Sequence, residues 1–165
     1  MFTVYSALPE HGDVLGEIHA ESWRAAYAGF FDQEFFDTAL HRRRTRWHAV
    51  LAEGRDIVML GAVDGRPLAF SSMGPSPSHP GSAEIFGFYG HPDGWGSGVA
   101  KVLIAASLDA LRQRGFTHAH LWTLRDTPQS RRFYLKTGFA ESGAVRGFDY
   151  GDGRLVDQVE YETFL

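Results

Sequence analysis

Among the residues able to do chemistry in this 165-residue chain, the glycines are the most conspicuous. Gly81, Gly87, Gly90, Gly94, Gly96 and Gly98 crowd into one short stretch that ends in WGSGVA, Trp95 to Ala100. An apolar period of 3.6 through Val99, Val102, Leu103, Ala106 and Ala110 follows at once, so the turn opens an amphipathic helix. Glycine at 96 and 98 lets the backbone fold tightly and approach a ligand with no Cβ in the way. With the free N–H groups and positive dipole end of the helix, this makes a seat for a phosphate or diphosphate. No Lys-Ser or Lys-Thr follows the glycines and GxGxxG is not matched, so neither common nucleotide loop is present. Close helix packing is the other reading of the same glycines.

Histidine is the next resource, with eight in the chain. His118 and His120 lie two apart on a predicted strand and share a face. No third ligand is apparent beside them and there is no HExxH, so no metal site is expected. His91, before Pro92, is placed to touch the glycine turn. Arg42, Arg43, Arg44 and Arg46 form a basic run, read either as a solvated helix face or as a contribution to binding an anionic group.

Composition bounds these readings. Cysteine is absent, which excludes disulfides, thiolate nucleophiles and cysteine-based metal sites. A net charge of -4 gives no general attraction to nucleic acid or anionic lipid, so any polyanion must be held locally. No apolar run approaches the roughly 20 residues of a membrane span, and MFTVYSALPE lacks the pattern of a signal peptide. The expectation is a cytoplasmic protein with neither a membrane nor a nucleic acid as partner.

The elements that must position the turn read as alternating α and β. Phe2 to Ala7 is a strand, Pro9 heads a helix reaching about Tyr27, Asp32 caps a brief helix through Leu40, and His41 to Glu53 forms another. Asp56 to Val63 and Pro67 to Met73 pair through Asp64-Gly65-Arg66 as a hairpin. Gly74 to Ser82, with three prolines, is a stiff loop. Ala83 to Tyr89 is a strand running into the glycine turn and its helix, which Gly115 caps. Thr117 to Leu124 is a strand, a helix runs from Pro128 to Gly138, and Phe139 to Phe148 pairs with Leu155 to Phe164 around Gly151-Asp152-Gly153. One domain spanning residues 1–165 is expected, an α/β (α+β) fold with a central mixed, mostly antiparallel twisted sheet of about seven strands and four to five flanking helices.

Two of these segments carry a resemblance. AEIFGFYGHPDGWGSGVAKVL and LWTLRDTPQSRRFYLKTGF are similar to the two core motifs of the GNAT superfamily of N-acetyltransferases, Q/R-x-x-G-x-G/A and Phe-Tyr-x-x-x-Gly-Phe. Gly98 and Ala100 match the last fixed places of the first motif, and Phe133-Tyr134 with Gly138-Phe139 match the second. SWRAAYAGF and RRRTRW resemble the N-terminal part of many bacterial members, so the likeness covers nearly the whole chain. Trp95 stands where the family often has Gln or Arg, and Asp126-Thr127 replaces a frequent asparagine.

The resemblance implies acetyl-CoA as cofactor and an amine as acceptor. Main-chain amides of Trp95, Gly96, Ser97, Gly98, Val99 and Ala100 would hold the diphosphate. Phe88, Tyr89 and Gly90, on a strand expected to splay from its neighbour, would hold pantetheine and polarise the acetyl carbonyl. Thr127 and Ser130 would add cofactor contacts. An alkyl amine of pKa ~10 needs a base, and Glu84 is the first choice, acting directly or through water. Tyr134 sits where many members place the acid that protonates the departing thiolate. Acceptor choice falls to the first helices, the Gly74 to Ser82 loop and the C-terminal hairpin, with Trp23, Tyr27 and Phe31 as pocket walls able to hold a cation over a ring face.

The function implied is transfer of an acetyl group to a primary amine of a small molecule by direct attack in a ternary complex. A protein N-terminal or lysine acetyltransferase would need an open groove, and a proline-rich loop over the cleft speaks against one. A non-catalytic acyl-CoA-binding regulatory module is the third reading, disfavoured by the presence of Glu84 and Tyr134. A homodimer through the C-terminal strand is possible in this fold.

Overall fold

Periodicity in the sequence maps closely onto the computed structural model, which describes Met1–Leu165. In chain order the elements are β1 (Phe2–Ser6), α1 (Gly12–Tyr27), α2 (Gln33–Thr45), α3 (Trp47–Glu53), β2 (Ile57–Val63), β3 (Arg66–Pro75), β4 (Ala83–Gly90), α4 (Val99–Gln113), β5 (His118–Leu124), α5 (Pro128–Lys136), β6 (Ala140–Asp149) and β7 (Leu155–Phe164). Single turns of 3-10 helix at Pro9–His11 and Pro92–Gly94 precede α1 and the glycine turn. The strands form one mixed seven-stranded sheet in the order β1-β2-β3-β4-β5-β7-β6, the α/β architecture expected. No helix is long and apolar enough to cross a membrane.

Two boundaries differ from the sequence reading. Pro9 heads the 3-10 turn and α1 begins only at Gly12. The break expected after Leu40 falls instead at Arg46, because nothing at Leu40 or His41 opposes a helix. Arg42, Arg43 and Arg44 thereby occupy the last turn of α2, where the carbonyl end of the dipole favours cations.

The chain clusters into two compact units, Met1–Gly74 with Gly87–Ser107 and Pro75–Phe86 with Leu108–Leu165. In the first, the two-residue period of the β2–β3 hairpin sorts side chains between layers. Val58, Leu60 and Phe70 pack under Leu15 and Ile18 of α1 and Trp47 of α3. On the other face Ala69 meets Val99 and Leu103 of α4. There a Cβ on Gly61 would lie 3.1 Å from Val99, so glycine permits the close approach of that helix. The hairpin turn has φ of 48° at Asp64 and 84° at Gly65, matching the right-handed twist of its strands.

In the second unit β7 lies between β5 and β6, antiparallel to both, with Leu121↔Tyr161, Trp122↔Glu160 and Arg146↔Gln158 in register. Alternation then divides the sheet sharply. Leu121, Val159 and Tyr161 point to one face, where Tyr161 meets Tyr134 of α5 with ring centroids 5.8 Å apart. His118, His120, Trp122, Gln158, Glu160 and Glu162 point to the other.

Candidate active site

The glycine turn is built as its composition requires. His91 Nδ1 accepts the Asp93 N–H at 3.1 Å and caps the 3-10 turn that leads into it. Gly96 and Gly98 hold φ of 77° and 96°, which side chains with a Cβ rarely adopt. Ser97 Oγ donates to the Gly94 carbonyl at 2.6 Å and accepts the Val99 N–H at 3.2 Å, bracing the corner. The first intrahelical bond is Val102 N–H to Gly98 O, so the amides of Gly98, Ala100 and Lys101 head α4 without an intrahelical acceptor. Trp95 extends across the turn, and its indole N–H donates to the Gly90 carbonyl at 2.9 Å. Gly90 is glycine without conformational need, since its φ is not positive and a Cβ there would meet Trp95 only at 3.6 Å.

Glu84 stands in register with His120 in the parallel β4–β5 ladder, and the ladder ends there. Ile85 and Phe86 continue without a β5 partner, so the strands part immediately beyond the carboxylate. That is earlier than the Phe88 to Gly90 divergence expected. Glu84 is 13% exposed, with Oε1 at 3.4 Å from His120 Nε2. Burial raises its carboxyl above the usual carboxylate range, opposed by the charges of Arg146 and His79. His120 is fully buried and its imidazole is pushed down, chiefly by burial and by the charge of His79.

Tyr134 is buried on the opposite face of the same strands, against Phe139 and Tyr161. Behind it, Tyr161 Oη accepts from Arg131 Nε at 3.0 Å and donates to Glu141 at 2.9 Å, fixing the packing surface. Glu84 and Tyr134 therefore lie on opposite faces of the sheet. Thr127 precedes α5 and donates its hydroxyl to the Leu124 carbonyl at 2.6 Å, and Ser130 is half-buried in the first turn.

Comparison with known proteins decides the family. Residues 15–139 match the model of the acetyltransferase (GNAT) family. The chain belongs to the GNAT family. Among curated relatives, the spermidine N(1)-acetyltransferase of Thermoplasma acidophilum is 24% identical over 134 residues, covering 77% of this chain and 81% of that protein. The crystal structure of the PaiA N-acetyltransferase of the same organism, in complex with coenzyme A, superposes with a TM-score of 0.76 at 18% identity, over 100% of this chain and 99% of that one. The YncA acetyltransferase structure from Salmonella typhimurium, with its cofactor acetyl-CoA, gives a TM-score of 0.71 at 20% identity, covering 99% and 94% of the two chains.

As a GNAT protein the chain is an acyltransferase with acetyl-CoA as its cofactor. The turn fits that group: Gly96 and Gly98 permit its positive-φ backbone, and the amides of Gly98, Ala100 and Lys101 lack an intrahelical acceptor.

Acceptor-side expectations fare unevenly. Trp23 is 1% exposed, stacked on Phe31 at 5.2 Å and on Phe36 at 5.9 Å. Its ring face carries the Arg43 guanidinium at 3.4 Å, where a substrate cation was expected. Phe31 is buried too, and of the three residues only Tyr27 keeps partial exposure. The arginine run separates into individual contacts, with Arg44 on Glu21 at 2.8 Å and Arg46 over Trp47 at 5.1 Å.

Sequence reasoning missed the face around Glu84. Arg146 lies 4.4 Å over the Trp122 ring and donates to Gln158 at 2.7 Å, whose amide donates to Tyr150 Oη at 2.7 Å. His79, His120 and Glu160 gather beside it. Their sequence separations are long, and only the strand register together with side-chain parity would have brought them together.

Proposed function

We propose that this GNAT enzyme acetylates a primary amine of a small molecule, and that the amine attacks directly in a ternary complex. The observation that carries the reading is Glu84, a largely buried carboxylate at the rung where β4 and β5 part. Acetyl-CoA, when bound, supplies an activated acetyl thioester. Glu84 takes the proton of the incoming ammonium group, directly or through water. Raised by burial, its basicity moves toward the working pH, where a general base is most effective. On the other face Tyr134 Oη holds the proton that the departing thiolate requires. Main-chain amides of Gly96, Gly98 and Ala100 bind the diphosphate, and Phe88, Tyr89 and Gly90 line the pantetheine path.

The acceptor's charge follows from the face it would meet. Three carboxylates, Glu84, Glu160 and Glu162, stand there against the guanidinium of Arg146, a field that favours a cation over an anion. Likeness to a relative named for spermidine supports the same class. A thiol-release screen over monoamines, polyamines, amino-acid derivatives and N-terminal peptides tests the proposal. Turnover is expected with small cationic amines. Turnover with peptides alone would assign the enzyme to protein N-termini or lysines, and binding of acetyl-CoA with no turnover of any amine would leave a regulatory module.

A further inference from the structure

Beside Glu84 lies a group of side chains that takes no part in the proposed proton transfers. His79 on the turn before β4, His120 of β5 and Glu160 of β7 bring one donor atom each to within 4.8 Å of one another. His79 Nε2 is 2.9 Å and His120 Nδ1 is 3.0 Å from the same oxygen, Glu160 Oε2. These approaches are close, yet His120 Nδ1 and Glu160 Oε2 are buried with no aligned hydrogen bond. A carboxylate oxygen and an imidazole nitrogen left so inside a protein are costly, and such atoms mark a missing partner.

The outer atom of each residue is tied down, and each time by a serine. His120 Nε2 bonds Ser76 Oγ at 2.6 Å, His79 Nδ1 bonds Ser78 Oγ at 2.8 Å, and Ser142 Oγ donates to Glu160 Oε1 at 2.6 Å. Ser76 Oγ also accepts the His79 N–H at 3.0 Å, joining the turn to His120. Metal-ligating imidazoles and carboxylates are oriented in this way, by hydrogen bonds on the atoms that do not face the ion.

We infer that His79 Nε2, His120 Nδ1 and Glu160 Oε2 form a binding site for one divalent transition-metal ion, with a fourth position open to water. Two nitrogens and one carboxylate select zinc-like borderline cations over magnesium or calcium, which prefer all-oxygen shells. In this arrangement the two rings stack at 3.9 Å with 16° between their planes, so their in-plane lone pairs do not yet converge. His120 is fixed on its strand, whereas His79 sits on a turn with its side chain 34% exposed and can rotate to meet the ion. His118 takes no part, because its donor atoms lie outside this group and its Nε2 faces Glu162 at 3.6 Å. Histidine spacing in the sequence gives no sign of this group, because its ligands come from three separate segments.

The inference does not depend on which acceptor is acetylated. Untagged full-length protein, stripped with chelator and dialysed, is titrated with Co2+ and then Zn2+, following the visible d–d band and metal content by mass spectrometry. One Co2+ per chain, displaced by Zn2+, is expected. His79→Ala, on the exposed turn, should weaken binding at least tenfold, and Ser142→Ala by about tenfold or more. Glu160→Gln should do as His79→Ala does, with circular dichroism establishing that it folds, and His41→Ala should leave uptake unchanged. No uptake at micromolar Co2+, or equal uptake by wild type and His79→Ala, overturns the site and leaves a cluster of acid and imidazole groups without an ion.

Discussion

Glu84 and His120 form the last rung of the parallel β4–β5 ladder, and their side chains meet with Oε1 at 3.4 Å from Nε2. One position sets both the burial that raises the Glu84 carboxyl and its access to whatever enters where the strands part. Tyr134 packs on the other face of the sheet, against Tyr161 of β7.

Tyr134→Phe removes only Oη and keeps the ring against Phe139 and Tyr161. Turnover should fall at least about tenfold while acetyl-CoA binding holds, since a positioned acid contributes roughly 10²–10⁴-fold. Steady-state thiol release checks it. Unchanged turnover would make Tyr134 a packing residue.

Gly98→Ala should weaken acetyl-CoA binding and lower stability by about 1–2 kcal/mol, because φ of 96° is strained for any residue with a Cβ. Gly115→Ala supplies the comparison: its φ is 89°, its Cβ would meet open space, and it caps the far end of α4. It should lose similar stability yet keep acetyl-CoA affinity by calorimetry. Equal affinity for the two variants would remove the diphosphate from the turn.

His19 contributes to acid sensitivity. Its Nδ1 accepts from the buried Trp47 indole at 3.1 Å, and burial, with the charges of Arg43 and Arg46, lowers its pKa from 6.5 to about 2. The unfolded chain therefore binds a proton below pH 6.5 that the native state refuses. Stability is fully present above that pH and falls below it, by up to about 1.4 kcal/mol per pH unit from this group. Urea unfolding at pH 7 and pH 5 should show a loss that His19→Gln reduces by about 2 kcal/mol. Parallel losses in the two proteins would contradict the assignment.

What the sequence made legible was local. The positive-φ turn at Gly96 and Gly98, the amphipathic α4 behind it and the Asp64-Gly65 hairpin rest on neighbours in the chain, and all three stand in the fold. Trp23 was misjudged because ring content alone does not separate a pocket wall from a core residue already covered by Arg43. Register hid the rest: His120 and Glu160 come to the face of Glu84 only through the pairing of Glu84 with His120 and Trp122 with Glu160, and His79 reaches them from the turn before β4.

Glu84→Gln keeps the size of the side chain and removes its basicity. With the best amine from the acceptor screen and saturating acetyl-CoA, the variant's thiol-release rate should be at most a tenth of wild type, with its acetyl-CoA thermal shift intact. A variant that folds, binds acetyl-CoA and retains more than a tenth of the rate would contradict Glu84 as the base.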